Sequence, residues 1–489
     1  MLLKHTKKLL RIHSIFQRGF ATSSHVNPKA CVVGSGPAAF SVCQTLLKQN
    51  TDVQVDMFEK LPVPFGLVRY GVAPDHQDVK NSINNYNKTA CNSRFNFFGN
   101  VNVGKDIKVE DLCKNYHAVI LCHGAQGERK LGINGENYLN VLTSNQFVGW
   151  YNGCPEQRNL EINLKGKSAV IIGIGNVALD CARMLLKPTS DLQSSDISAN
   201  AVKVLKDSTI TNVHVVGRRG PLQMACTRKE LSEICNLNHI ETFVDMSCFS
   251  SNILNAVKKR NLSKRKIQRL IKYLMSVSKD FTQKSTSTNR GKYFNVNLLL
   301  RPVEVLSNDG LNATSVKFQK IIMLETDDPF NPHFEVSDDF IDIECDLVIS
   351  CIGYNSNKIS SPLLTYSKDN LVHTKGVINA EYGLYAAGWC TSGPVGVLAD
   401  TSNSGHDIAY QVLSDLPRLI DLKGNCFDEE LVPKKLKSKN ITHVSWSGWK
   451  KIDQFEINKG KIEGKVREKI VDINKMVSVS KTLTKIGDS

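Results

Sequence analysis

The chain has 489 residues, too many for one core, and its 41% apolar and 22% charged content is that of a globular protein rather than a disordered or fibrous one. It holds no run of roughly eighteen apolar residues, which argues against a membrane-spanning helix. Its net charge of +15 favours an acidic partner or an anionic surface.

The first 24 residues carry Lys4, Lys7, Lys8, Arg11 and Arg18 and no acid, and they contain several hydroxyl side chains. Their apolar stretches are too broken by charge for a secretory signal. The segment reads as a mitochondrial targeting peptide, processed near Phe20–Ser24. A short β-branched run, Cys31 to Val33, then enters Gly34-Ser35-Gly36-Pro37-Ala38-Ala39. Helix-like spacing follows through Leu47, and a second strand, Val53 to Phe58, ends in Glu59. Strand, glycine turn, helix, strand and acid together form a dinucleotide-binding unit. Gly34 allows the tight turn, Gly36 lets a pyrophosphate approach the backbone, and Ala39 permits close helix–strand packing. The helix N-terminus faces the phosphates with free N–H groups. Glu59 is placed to hold a ribose diol, so this unit suits a nucleotide without a 2′-phosphate, such as FAD.

Residues 61–81, LPVPFGLVRYGVAPDHQDVKN, read as an ordered loop because proline and glycine interrupt any helix. Its apolar residues suit a cover over a flat apolar group, with Arg69, Asp75 and His76 beside it. Phe95 to Val103 reads as a strand pair turning at Gly99-Asn100, and Tyr116 to Cys122 as a buried parallel strand. His117 and His123 read as local structural residues. A second unit begins at Ser168: strand, Gly173-Ile174-Gly175-Asn176-Val177-Ala178, helix. Residues 187–210 read as a Ser- and Asp-rich insertion or long loop. The partner strand, Asn212–Val216, ends not in an acid but in Gly217-Arg218-Arg219-Gly220. A guanidinium fork matches a 2′-phosphate that an acid would repel, so this unit should prefer NADP over NAD.

Residues 255–272 are densely basic and helical in pattern, either a solvated face or a docking surface. They interleave no aromatic residue that could stack bases, which counts against nucleic acid. Residues 341–354 read as another buried strand. Residues 384–398 give a last strand, Gly388-Trp389 and Gly393-Pro394-Val395-Gly396, with helix from Val397 to Leu413. Such a turn at a helix N-terminus would support a reduced flavin, with Trp389 as a wall of its pocket. The 14 cysteines show no CxxC and no zinc or iron–sulfur spacing, so they read as reduced and mostly buried, with no metal site and no redox-active dithiol.

The text VVGSGPA (32–38), VPFGLVRYGVAPDH (63–76), FVGWYNG (147–153), GNVALD (175–180), VGRRGPLQ (216–223) and GPVGV (393–397) resembles the mitochondrial NADPH–adrenodoxin (ferredoxin) reductase family. KEL (229–231), GW (388–389), WKKID (449–453) and VREKIVD (466–472) extend the resemblance over nearly everything after the leader. It implies an α/β fold with two Rossmann-like domains, the FAD domain being discontinuous around an inserted NADP domain. Expected segments are a targeting peptide at 1–24, FAD domain at 25–127, NADP domain at 128–352, and the second FAD part with a C-terminal extension at 353–489. The resemblance assigns Ala38, Glu59, Leu67, Val103, Trp389, Gly396, Val397 and Leu398 to FAD, beside Gly34 and Gly36 of the turn. It assigns Ile174, Gly175, Asn176, Val177, Arg218, Arg219, Glu230 and Gly396 to NADP. His76 and Asp180 match the family's polar pair near the flavin. The basic region around Arg260, Lys264 and Arg265 corresponds to the ferredoxin-docking region.

The expected reaction is electron transfer from NADPH through FAD to a small acidic 2Fe–2S ferredoxin in the mitochondrial matrix. It would serve steroid hydroxylation or iron–sulfur cluster assembly. A monomer is expected, without a transmembrane span but with room for peripheral contact with the inner membrane. The alternative is an NADPH-dependent flavin mono-oxygenase, whose FxGxxxHxxx(Y/F) linker is missing here.

Overall fold

The computed structural model describes residues 26–482 except 126, 260, 283–290, 325, 368–369, 395 and 397. The leader and the candidate residues Arg260 and Val397 lie outside the described residues.

Two separate sheets organise the chain. The first has six strands in the order Val377–Asn379, Leu384–Ala386, Ala118–Leu121, Lys29–Val33, Gln54–Glu59, Phe95–Gly99. All pairings are parallel except that between the two late strands. The second has seven strands, all parallel: Ser278–Asp280, Ile240–Val244, Lys292–Asn297, Asn212–Val216, Ser168–Ile172, Leu347–Ser350, Val141–Thr143. The first sheet therefore draws on both ends of the chain and the second on its middle, as a discontinuous domain with an insertion requires. The two connecting segments meet as an antiparallel pair, Gly127–Glu128 against Tyr354–Asn355.

Both sheets are covered on both faces, which explains their unbroken apolar strands. Along the first strand Ala30 and Val32 enter one core, while Cys31 and Val33 enter the core on the opposite face. The long helix Leu398–Lys423 packs on the helix Pro37–Gln49 of the first glycine turn. Gly405 makes that approach possible, since a Cβ there would stand 2.4 Å from the Ala38 carbonyl oxygen. The C-terminal helix Trp446–Ile462 buries Trp449 in the same core. It also buries Glu456, which accepts two bonds from the Arg69 guanidinium at 2.6 and 2.8 Å.

Several sequence expectations need correction. Phe95–Val103 is not a strand pair: one parallel strand ends at Gly99, Asn100 turns at φ +62°, and the chain continues as loop. Residues 187–210 are not simply loop but contain the helix Ala199–Lys206, capped by the Ser198 hydroxyl. The basic stretch is two helices, Ser251–Lys258 and Arg265–Val277. Residues 341–350 split between two sheets, since His333–Glu344 is antiparallel and Leu347–Ser350 parallel. The antiparallel sheet Leu300–Leu306, Ser315–Leu324, His333–Glu344 was not expected at all. The helix after the last glycine-rich turn is described from Leu398 and runs to Lys423, well past Leu413.

Candidate functional site

The first glycine turn opens onto a cavity of about 460 Å³. Gly34, Gly36, Ala38, Glu59, Leu67, Val103, Trp389 and Leu398 all line it, although they come from distant stretches of sequence. Gly34 sits at φ +101°, and a Cβ there would strike the Cys122 carbonyl oxygen at 2.4 Å. Gly36 caps the helix Pro37–Gln49, and a Cβ on it would meet nothing within 4 Å, so its exposed backbone faces open space. Glu59 ends its strand beneath the turn. It accepts from the Ser35 hydroxyl at 2.6 Å and the Leu61 N–H at 3.1 Å. Burial raises its carboxyl above the ordinary range, and those bonds pull back. The proline-rich loop reaches the same turn: the Phe65 N–H donates to the Ser35 carbonyl at 3.1 Å while Phe65 holds φ +85°. That left-handed conformation costs on the order of 1–3 kcal/mol and persists only where the surroundings impose it.

Trp389 follows Gly388, itself at φ +77°, and its indole N–H is buried with no partner. Gly396 is exposed at φ +90° just before Leu398 and does not line the cavity. His123, read from sequence as merely local, does line it. Its Nε2 lies 3.2 Å from the Asn357 carbonyl oxygen, and burial pushes its pKa down to about 4, leaving a neutral ring. An open glycine backbone, a helix N-terminus and an unpartnered indole donor around one cavity fit a flavin dinucleotide.

The second unit is built alike. Gly173 sits at φ +126°, where a Cβ would meet the Cys351 carbonyl oxygen at 2.3 Å, and Gly175 caps the helix Asn176–Leu186 with open space before it. Asn176 Oδ1 accepts from the Thr227 N–H at 2.8 Å, tying the turn to the helix Arg228–Cys235 that carries Glu230. A Cβ on Gly217 would stand 2.8 Å from Ile174 Cγ2, so Ile174 lies against the strand end that presents Arg218 and Arg219, while Val177 packs on the core of the same domain. Both arginines are exposed, and Glu230 Oε2 is buried without a partner. Unused cations and an orphan acceptor around an open turn fit a phosphorylated nucleotide.

His76 and Asp180 line neither turn but meet where the two domains touch. His76 Nε2 lies 2.6 Å from Glu233 Oε2, a partner 157 residues away that no local pattern announced. Asp180 Oδ1 lies 2.8 Å from Arg183 Nη1, an ion pair without hydrogen-bond alignment. Burial raises the Asp180 carboxyl, and Arg183 and His76 oppose that rise. Arg183 also forks onto Asp75 at 2.9 and 3.0 Å, joined there by Lys187 at 2.9 Å. Burial works against charge on Asp75, yet these cations hold its carboxyl well below the usual range.

Lys264 and Arg265 are exposed at the start of the helix Arg265–Val277, with Lys264 Nζ 5.2 Å from the centre of the Phe330 ring. That helix buries Leu270, Ile271 and Leu274 and exposes Arg265, Lys266, Arg269 and Lys272 beside Ser276, so the charge on its outer face is all basic. All 14 cysteines are free. Among the described residues no His, Cys, Asp and Glu cluster could hold a metal, and no helix is long and apolar enough to cross a membrane.

Two glycine-turn units facing separate nucleotide sites define a flavin- and pyridine-nucleotide-dependent oxidoreductase. The pyridine nucleotide-disulphide oxidoreductase family matches residues 28–259. NADPH:adrenodoxin oxidoreductase, mitochondrial, of Salvelinus fontinalis is 41% identical over 95% of this chain and 93% of its own. The Homo sapiens protein of that name is 38% identical over 92% and 91%. The solved structure of Mycobacterium tuberculosis FprA in complex with NADPH superposes with TM-score 0.84 at 30% identity, over 93% of this chain and 99% of that one. The chain belongs to the NADPH:adrenodoxin oxidoreductase family.

Proposed function

We propose that this protein takes electrons from NADPH, passes them through bound FAD and delivers them to a ferredoxin. Bound FAD accepts electrons in pairs and releases them singly, which is the conversion this reaction needs. The observation that carries the reading is the unlike ends of two otherwise matching units: Glu59 at one, Arg218 and Arg219 at the other. At the first, Gly34, Gly36 and the helix N-terminus take the pyrophosphate and Glu59 the ribose. Ala38, Leu67, Val103, Trp389 and Leu398 enclose the rest and exclude water, with Gly396 just before the helix; Val397 lies outside the described residues. At the second, Ile174 to Val177 cradle the NADP pyrophosphate, Arg218 and Arg219 hold the 2′-phosphate, and Glu230 accepts from the coenzyme. His76 and Asp180 orient the reacting end and hold a proton at the ring nitrogen or carboxyl oxygen.

The acidic 2Fe–2S ferredoxin docks on the basic face that includes Lys264 and Arg265. We place the protein in the mitochondrial matrix, in keeping with its acid-free basic leader and its relatives' mitochondrial names. Both nucleotide sites are complete within one chain, which supports a working monomer. The net charge of +15 supports loose contact with anionic lipid of the inner membrane. The mono-oxygenase alternative is not favoured.

The test is coenzyme choice. Replacing Arg218 and Arg219 by alanine should raise KM for NADPH roughly tenfold or more, since charge-assisted bonds to phosphate contribute about 1.5–3 kcal/mol each. KM for NADH should change little. Equal loss with both coenzymes would show the pair to be structural.

A further inference from the structure

We propose that Arg183 is the positioning residue that sets His76 and Asp180 for reduction of the flavin by NADPH. The inference rests on the roles given to His76 and Asp180 above.

The segment 75–80 is a strap from the first domain to the second. Asp75 bonds Arg183 and Lys187, His76 bonds Glu233, Gln77 and Lys80 bond Asp196, and Asp78 lies 3.5 Å from Lys229. Every polar side chain of the strap thus engages the inserted domain. Arg183 both anchors the strap at Asp75 and contacts Asp180 and Glu233, the partner of His76. Its side chain is 1% exposed, on the helix that starts at the second glycine turn. Nε and Nη2 hold Asp75, the residue before His76. Nη1 lies 2.8 Å from Asp180 and 3.2 Å from Glu233 Oε2, the same oxygen that meets the His76 ring at 2.6 Å. One guanidinium therefore forks onto Asp75, beside His76, while its Nη1 sets positive charge against both Asp180 and the Glu233 oxygen that meets His76, an arrangement that a lysine ammonium cannot reproduce.

The charge of Arg183 matters as much as its shape. It is the cation shared by Asp75, Asp180 and Glu233. Lys187 reaches only Asp75, and Lys229 stands 3.9 Å from Glu233. Without Arg183 the excess of carboxylate would draw protons onto both His76 and Asp180. The shift is alkaline whichever of the two governs the reaction.

The experiment uses full-length, FAD-loaded protein and the variants Arg183→Met, which keeps the stem and loses the charge, and Arg183→Lys, which keeps the charge and loses the fork. Flavin content and thermal midpoint are measured first. The pH profile of flavin reduction by NADPH is then followed by stopped flow. The His76 ring resonance is titrated by NMR in the oxidised protein without NADPH. Arg183→Met should move both midpoints up by about one pH unit or more. Arg183→Lys should leave them near the wild-type values and slow flavin reduction about tenfold or more without weakening NADPH binding. A flavin-loaded Arg183→Met protein with unmoved midpoints overturns the proposal. So does an Arg183→Lys protein that reduces its flavin at the wild-type rate, and this second variant decides the matter if the first does not retain flavin. His76→Gln and Asp180→Asn are measured alongside. If neither slows flavin reduction, the assignment of the pair fails, while the NMR titration still reports whether Arg183 governs the His76 proton.

Discussion

At the scale of single residues, the two sites are decided by where a Cβ fits and where an acid or a guanidinium falls. Gly34→Ala is the sharpest steric test. The added methyl would meet the Cys122 carbonyl at 2.4 Å on a backbone at φ +101°. The variant should purify with little bound flavin and regain little when FAD is added, as read from the visible spectrum. A normal yellow protein would mean that the strand end shifts freely and the close fit is unimportant. These residues were legible in the sequence because glycine spacing and a terminal acid or arginine pair are local signals. Glu233 and Arg183 were not, because their meaning comes from partners such as His76 and Asp75, 157 and 108 positions away. His123 was misread for a related reason: only the packed strand ends show that it lines the flavin cavity.

At the scale of elements, the C-terminal extension is bound into the interface between the domains. Lys469, buried on the irregular stretch after the helix Trp446–Ile462, meets Asp196 at 2.8 Å, and Lys80 meets the same carboxylate at 2.7 Å. Burial pushes the Lys469 ammonium from its usual 10.5 down to about 7, with Asp196 opposing. A lysine with a depressed folded-state pKa binds more protons when unfolded. Its cost is therefore full below about 7 and fades as pH rises toward 10.5. Wild-type stability should rise with pH between 7 and 9 more steeply than that of Lys469→Met. Parallel pH curves from chemical denaturation would contradict this. Asp196 lies in the stretch that reads as plain loop, because serines and aspartates there act as caps and ion-pair partners rather than as a periodic apolar face. The antiparallel strand His333–Glu344 was hidden likewise through most of its length: only Ile343 of its 12 residues is buried, so no apolar face of period two marks it. The parallel strands, covered on both faces, were plain from sequence.

The basic helix Arg265–Val277 carries its own test. Arg265→Glu should weaken ferredoxin reduction and spare reduction of a small artificial acceptor, and the wild-type rate with ferredoxin should fall as salt rises. A parallel fall with both acceptors would place the damage at the nucleotide sites instead, and a salt-independent rate would remove the basic face as the docking surface.

At the scale of the whole molecule, two domains with unlike nucleotide preferences are held by buried ion pairs, Arg183 with Asp75 and Lys80 with Asp196, around one electron path. The order NADPH, FAD, ferredoxin is the central claim. The direct measurement is anaerobic: the protein from residue 25 onward, with bound flavin, is mixed with NADPH or NADH and a mitochondrial 2Fe–2S ferredoxin, and the iron–sulfur absorbance is followed. Rapid bleaching with NADPH and little with NADH is the predicted result. Flavin reduced by NADPH while the ferredoxin stays oxidised would contradict it.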